Sequence, residues 1–228
     1  MRNYILSFIA ALGVLNVHAE TISVADVTIK SGETKVVSIN LENSYTNIVS
    51  FQMDLTLPDG ITLDKAGCGL SSRFTDGSQE LTIGKQPNGD YRLTSTSLSL
   101  KPISGTSGEI IKLSLSASKS AQGGIASIRN IRLATANSEK LTPANISFKV
   151  DVTYMLTYKV DGFVYKTFDI VYGSIITPEA SPTKEGYIFS GWSEIPATMP
   201  NHDVEVSGTF SFNTYKLTYV VDGVEYSL

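Results

Sequence analysis

Few residues in this chain could do chemistry, and they do not form a familiar set. Histidine occurs only at His18 and His202, and cysteine only at Cys68. A zinc site needs several nitrogen or sulfur ligands together, and a catalytic Cys–His pair needs both groups within hydrogen-bond reach. His202 lies in Met199-Pro-Asn-His-Asp203 and Cys68 in Ala66-Gly-Cys-Gly-Leu70, so they read as a turn-exposed imidazole and a buried or loop thiol. The chain has no phosphate loop ending in Lys-Ser/Thr, no Gly-x-Ser-x-Gly elbow and no His-Glu-x-x-His. Carboxylates are harder to exclude, because a glycosidase needs only two of them at a set separation. Asp54, Asp59, Asp64 and Asp90 are the candidates, all expected at turns or on polar strand faces where carboxylates are solvated. Calcium at Asp59/Asp64 or Asp76/Glu80 would lack the Asp-x-Asp-x-Asp-Gly ligand spacing. The expectation is a protein that is not an enzyme, with no metal and no cofactor.

The elements that would position these residues are strands. In Val49-Ser-Phe-Gln-Met-Asp-Leu-Thr-Leu57 the odd positions are apolar and the even ones polar, which is the signature of a half-buried strand. It stops at Pro58-Asp59-Gly60, a turn sequence. Val37–Leu41, Ile111–Ala117 and Ile146–Tyr154 repeat the pattern. Leu81–Ile83 and Tyr91–Leu93 flank Gln86-Pro-Asn-Gly-Asp90, a hairpin turn because Asn and Gly tolerate positive φ. No stretch offers an amphipathic helix of several turns. About nine short strands with turns between them predict an all-β chain that begins with a two-sheet β-sandwich.

The ends and the composition set the context. Met1-Arg2-Asn3, the apolar run Tyr4–Val14 and Val17-His18-Ala19 read as a secretory signal peptide over residues 1–19, cleaved after Ala19. Its apolar core is too short to span a bilayer comfortably and no second long run follows, so no transmembrane segment is expected in the mature chain. The formal net charge is −4 and loses a further positive unit with Arg2, which offers nucleic acid or anionic lipid nothing. A single cysteine allows no internal disulfide, so packed cores must supply stability.

From residue 21 to about residue 152 the chain resembles the cohesin and carbohydrate-binding-module type of sandwich. The residues that carry the resemblance are Gly32–Leu41, Ile48–Pro58 and the glycine-led Gly108–Leu115. The resemblance implies non-catalytic binding of sugar or of a protein partner. Binders of crystalline polysaccharide present a row of Trp or Tyr, yet this region has no Trp, and Phe51 and Phe148 fall on apolar strand faces. Tyr45 and Tyr91 remain as the candidate ligand-binding residues.

The segment Tyr154-Met-Leu-Thr-Tyr-Lys-Val-Asp-Gly-Phe-Val-Tyr165 recurs as Tyr215-Lys-Leu-Thr-Tyr-Val-Val-Asp-Gly-Val-Glu-Tyr226, 61 residues on and identical at eight of twelve positions. A fixed-period copy marks a repeat array, built for reach and display. Ile170-Val-Tyr-Gly173, Pro182-Thr-Lys-Glu-Gly-Tyr-Ile-Phe-Ser-Gly-Trp192, Met199-Pro200 and Asp203-Val-Glu-Val206 resemble the Listeria-Bacteroides repeat, also called the internalin-type B-repeat. The resemblance implies a small β-grasp-like module of bacterial secreted or surface proteins, and Trp192 would anchor its core. The expected layout is sandwich 20–152, repeat 153–212 and the start of a second repeat over 213–228. That start, cut short at Leu228, should leave Leu217, Tyr219 and Val221 without later strands, and so either pair along an edge of the first copy or be disordered.

Three functions stand as expectations. The first is a secreted or cell-surface binding protein, its sandwich recognising an extracellular glycan or a surface protein while the repeat region spaces or displays it. The second is a structural or adhesive stalk that makes contact through its repeats. The third is a glycan-active enzyme.

Overall fold

In this computed structural model the described residues are 20–44 and 47–227, and the leader expected over 1–19 and Tyr45 fall outside them. The strands are β1 (Thr21–Ser23), β2 (Val27–Lys30), β3 (Thr34–Glu42), β4 (Ile48–Thr56), β5 (Ile61–Leu63), β6 (Gly69–Leu70), β7 (Thr82–Lys85), β8 (Tyr91–Thr96) and β9 (Glu109–Ala117). They continue as β10 (Gly124–Thr135), β11 (Lys140–Leu141), β12 (Ile146–Val160), β13 (Phe163–Val171), β14 (Tyr187–Phe189), β15 (Val204–Gly208), β16 (Phe210–Phe212), β17 (Thr218–Val221) and β18 (Val224–Ser227). The only helical turn among the described residues is a 3-10 turn at Lys65–Gly67. The chain is all-β, as its period-two patterning predicts.

Two sheets face each other in the sandwich. One runs β1-β3-β9-β5, with β6 also on β9, and the other contains β12-β10-β4-β8-β7. Ile39, Leu41, Ile111 and Leu113 of the first meet Phe51, Met53, Leu55, Leu93, Ile128 and Phe148 of the second in one buried cluster. Phe51 and Phe148 are core, as expected. The strand β10 escapes a period-two reading because its buried positions run Ala126, Ile128, then Ile131 and Leu133. An extra residue is inserted there: the register against β4 shifts between Arg129 and Arg132, and Asn130 takes a φ of 52°. A β-bulge does this, and Asn accommodates the left-handed conformation better than most residues.

The 15-residue strand β12 joins the sandwich to the C-terminal part of the chain. On one edge it pairs antiparallel with β10 through Ile146–Val150 and then with β13 through Thr153–Val160. On the opposite edge it takes two parallel partners end to end, β2 against Val150–Thr153 and β15 against Leu156–Val160. The alternation of inward residues therefore runs through Phe148, Val150, Val152, Tyr154, Leu156 and Tyr158, all buried in the same cluster. No turn separates residues 152 and 153, the boundary expected between sandwich and repeat.

Beyond β12 the chain builds a small layer over the end of this sheet. Tyr158 meets Trp192 edge-on at 4.9 Å, Trp192 meets Phe189 at 4.8 Å, and the indole Nε1 donates to the Glu179 carbonyl at 2.8 Å. Gly208 is fixed by close approach, since a Cβ there would stand 2.2 Å from the Phe189 ring. Trp192 is thus the half-buried anchor that the sequence predicts. The second copy behaves differently. Among the described residues β17 and β18 pair only with each other, closed at Asp222-Gly223 with φ of 49° and 77°, the same turn as Asp161-Gly162 at 51° and 84°. Both are Asp-Gly turns with positive φ at both central residues, the geometry that suits strand twist. The tail therefore neither joins an edge of the first copy nor lacks structure.

Candidate functional site

The outward face of β7-β8-β4-β10 is a continuous polar surface of the sandwich. Pleating sends Ser50, Gln52, Asp54 and Thr56 of β4 outward, beside Arg92 and Thr94 of β8 and Arg129 and Arg132 of β10. The register sets Asp54 between Arg92 on one side and Arg129 on the other, and Gln52 between Thr94 and Arg132. Such cross-strand neighbours lie close enough to interact. The result is a sheet face lined by polar and charged side chains.

Its charges are locked in place. Asp54 is only 4% exposed and accepts from Arg92 Nε at 2.7 Å, Arg92 Nη2 at 2.9 Å and Asn130 Nδ2 at 2.9 Å. Hydrogen bonding from Arg92 holds its carboxyl below the usual carboxylate range, against burial acting the other way. Asp90, also buried, accepts from Thr56 Oγ1 at 2.7 Å, Asn88 Nδ2 at 2.8 Å and Arg129 Nη2 at 3.2 Å. Turn and strand-face positions predict solvated carboxylates at both sites. The structure corrects that: arginines contributed by neighbouring strands cover both, a long-range pairing that local spacing does not reveal. With their oxygens spent on arginine, amide and hydroxyl donors, both act as orienters of Arg92 and Arg129.

The face ends in apolar groups. Ile125 stands exposed at the start of β10, near the end where β4 finishes. At the opposite end, the loop after β8 displays Leu98, 87% exposed, and Leu100, which is held at a φ of 58°. Asp76 braces that loop, accepting from Ser97 Oγ at 2.6 Å, Ser99 Oγ at 2.6 Å and Ser78 Oγ at 2.8 Å. Those hydroxyls hold the Asp76 carboxyl below its ordinary range. Ser97 Oγ also accepts the Lys101 amide at 2.8 Å, which fixes the turn that carries the leucines. Sequence patterning misses this loop, although Ser97-Leu-Ser-Leu-Lys101 contains two apolar residues in a stretch with few core partners.

The other residues singled out in the sequence are scattered. Tyr91 is 8% exposed and packs in the core cluster on the same side as Leu93, with Lys85 Nζ 5.9 Å from its ring centroid. The alternation Tyr91-Arg-Leu93 already places the tyrosine on the apolar side. Cys68 is half-buried, and burial raises its thiol above the ordinary value. Its sulfur accepts the Ser114 amide at 3.3 Å and donates to the Asp64 carbonyl at 3.4 Å. His202 is exposed in the loop before β15. Among the described residues no group of three or more His, Cys, Asp or Glu side chains is arranged to hold a metal ion.

No family model matches the chain. Solved structures do resemble it. A chain of a type I cohesin–dockerin complex from Clostridium thermocellum shares 16% identity over 59% of this chain and 93% of its own, with a TM-score of 0.51. A second such complex from the same organism gives 16% identity, 59% and 99% coverage and a TM-score of 0.50. A structure solved in solution from Clostridium acetobutylicum gives 19% identity, 59% and 90% coverage and a TM-score of 0.50. These likenesses show that the larger part of the chain has the cohesin-type sandwich fold. Among the described residues no helix is long and apolar enough to cross a membrane.

Proposed function

We propose that this is a secreted or cell-surface binding protein without catalytic activity, whose sandwich docks a protein partner on the outer face of β7-β8-β4-β10. The observation that carries the reading is the pair of arginines oriented by buried Asp54 and Asp90 on one sheet face, framed by exposed Ile125, Leu98 and Leu100. Surfaces with preordered arginines and apolar anchors suit protein recognition. A sugar site would call for aromatic faces, and the face has none among Gln52, Thr94, Arg92, Arg129 and Arg132. Solved structures of the same fold form cohesin–dockerin complexes, which supports a dockerin-like protein as the class of partner.

The leader over 1–19 would export the chain, and residues 153–212, read as a Listeria-Bacteroides-type, β-grasp-like repeat, would space or display the sandwich. The glycan alternative rests on Tyr45 and Tyr91, and Tyr91 could offer a sugar only the edge of a buried ring. The stalk alternative keeps the repeats as the contact surface.

Calorimetric titration of the full chain with a panel of dockerin modules and with oligosaccharides separates these readings. The proposal predicts saturable binding to a protein module, weakened more than tenfold by Arg132→Glu and unchanged by Tyr45→Ala. Binding confined to oligosaccharides and lost in Tyr45→Ala, or module binding indifferent to Arg132→Glu, would overturn it.

A further inference from the structure

The chain enters the sandwich by serving both sheets in turn. β1 lies antiparallel on β3 as far as Ser23↔Asn40, and after residues 24–26 the chain continues as β2 on β12. Asp26 fastens the crossing, its Oδ1 accepting the Lys149 amide of β12 at 2.6 Å. Because β1 leaves β3 so early, the line it would have followed beside residues 34–39 carries no strand among the described residues.

Backbone direction shows what is open along that line. Glu33 O accepts the Ala117 amide and Leu41 N donates to the Gly108 carbonyl, both at 2.9 Å, so the odd residues of this stretch bond toward β9. Successive residues of a strand address opposite edges, and Val36 and Ser38 therefore turn their N–H and C=O groups toward the vacated line. The facing wall is β2. Ser31 N donates to the Thr153 carbonyl at 3.0 Å, so Val27 and Ile29 also address β12 and Thr28 turns its backbone groups away from it. Between the walls lies a groove of about 470 Å³, lined by Asp26, Val27, Thr28, Lys35, Val37 and Ser38 among others. Val27 belongs to the core cluster and Val37 packs against it, which makes the floor apolar. Lys35 shares the Val37 face of β3, stands exposed, and forms no ion pair among the described residues.

We propose that this groove takes an extended segment of a partner protein, added antiparallel to residues 34–38 on the line of β1. Open strand edges recognise another backbone, and the side chains beside them choose its sequence. Directly opposite residues of paired strands share a face, so the segment places an apolar residue opposite Val37 and an acidic one opposite Lys35. Antiparallel order then gives the recognised pattern as apolar-x-Asp/Glu. The groove shares no residue with the outer face of β7-β8-β4-β10 and does not depend on it.

The test titrates the isotopically labelled full chain with the peptide acetyl-Thr-Thr-Val-Thr-Glu-Thr-Thr-amide. Saturable amide shifts at residues 26–28 and 34–38 are expected, with binding weakened by about tenfold when Lys replaces the peptide's Glu and recovered by that peptide on Lys35→Glu protein. Val36→Pro removes an amide that β9 does not use, and an edge strand tolerates proline, so this variant should fold and lose the peptide. Equal binding of both peptides, binding that survives Val36→Pro, or no shift at millimolar peptide would overturn the proposal. So would a Lys35→Ala protein that binds the peptide unchanged but self-associates through residues 34–38, because the lysine would then only guard the edge.

Discussion

The two hairpins around Asp161-Gly162 and Asp222-Gly223 share eight of twelve residues and the same turn, yet their surroundings are opposite. Tyr158 is 0% exposed and Tyr219 is 50%; Leu156 is 1% and Leu217 is 56%. Local sequence shapes the hairpin in both places, since pairing and turn chemistry are carried within the segment. Burial comes from cover supplied far along the chain: Ile176, Trp192, Met199 and Val206 close over the first copy. An isolated two-stranded hairpin has marginal stability in water. The first copy is stable because it is also the end of β12, anchored in the sandwich core.

Truncating matched residues should separate the copies most clearly. Tyr158→Ala empties a packed site and removes the hydroxyl that accepts the Glu179 amide, so chemical denaturation should show a loss of about 3–5 kcal/mol. Tyr219→Ala should stay within about 0.5 kcal/mol, as at an ordinary surface position. Leu156→Ala should cost about 2–5 kcal/mol and Leu217→Ala again about 0.5 kcal/mol or less. Equal losses within either pair would mean that the second hairpin is covered in solution.

Smaller effects extend the contrast to the sandwich. Arg92→Ala leaves buried Asp54 with Asn130 as its remaining side-chain donor, and about 1–3 kcal/mol should be lost at neutral pH. Asp54 has a depressed folded pKa, so its contribution is present above the unfolded value of about 4 and disappears as pH falls through the folded value. Denaturation curves of the two proteins should therefore converge on acidification, and a gap that stays constant with pH would contradict the pairing. A lesser loss follows at the parallel ladders, where Asp203→Asn weakens one cap on the Met155 amide. It should cost about 0.5–1.5 kcal/mol, with Asp26→Asn producing a similar loss through the Lys149 amide.

Strands with uninterrupted alternation are legible in the sequence: Val49–Leu57 emerges as β4, and the Asn88-Gly89 turn joins β7 to β8. The bulge at Asn130 conceals β10 by shifting its apolar period by one residue. The continuity of β12 is also concealed. Its two halves read as strands of different units, and only their partners on both edges show a single ladder. The candidate face is legible as polar alternation in β4 and β8, but the burial of Asp54 and Asp90 depends on donors such as Arg92, Arg129 and Asn130, 38 to 76 residues away in sequence, which no local pattern encodes. Tyr91 is readable as a core residue from its alternation with Leu93.

Cover, and not hairpin sequence, decides which copy is part of the folded body. Amide hydrogen exchange of the full chain measures this directly, because opening free energies differ between packed strands and exposed ones. Amides of residues 156–160 should exchange as slowly as those of 148–152 across the continuous β12, while those of 218–221 should exchange many orders of magnitude faster. Comparable protection in 156–160 and 218–221, or a sharp drop in protection between residues 152 and 156, would contradict it.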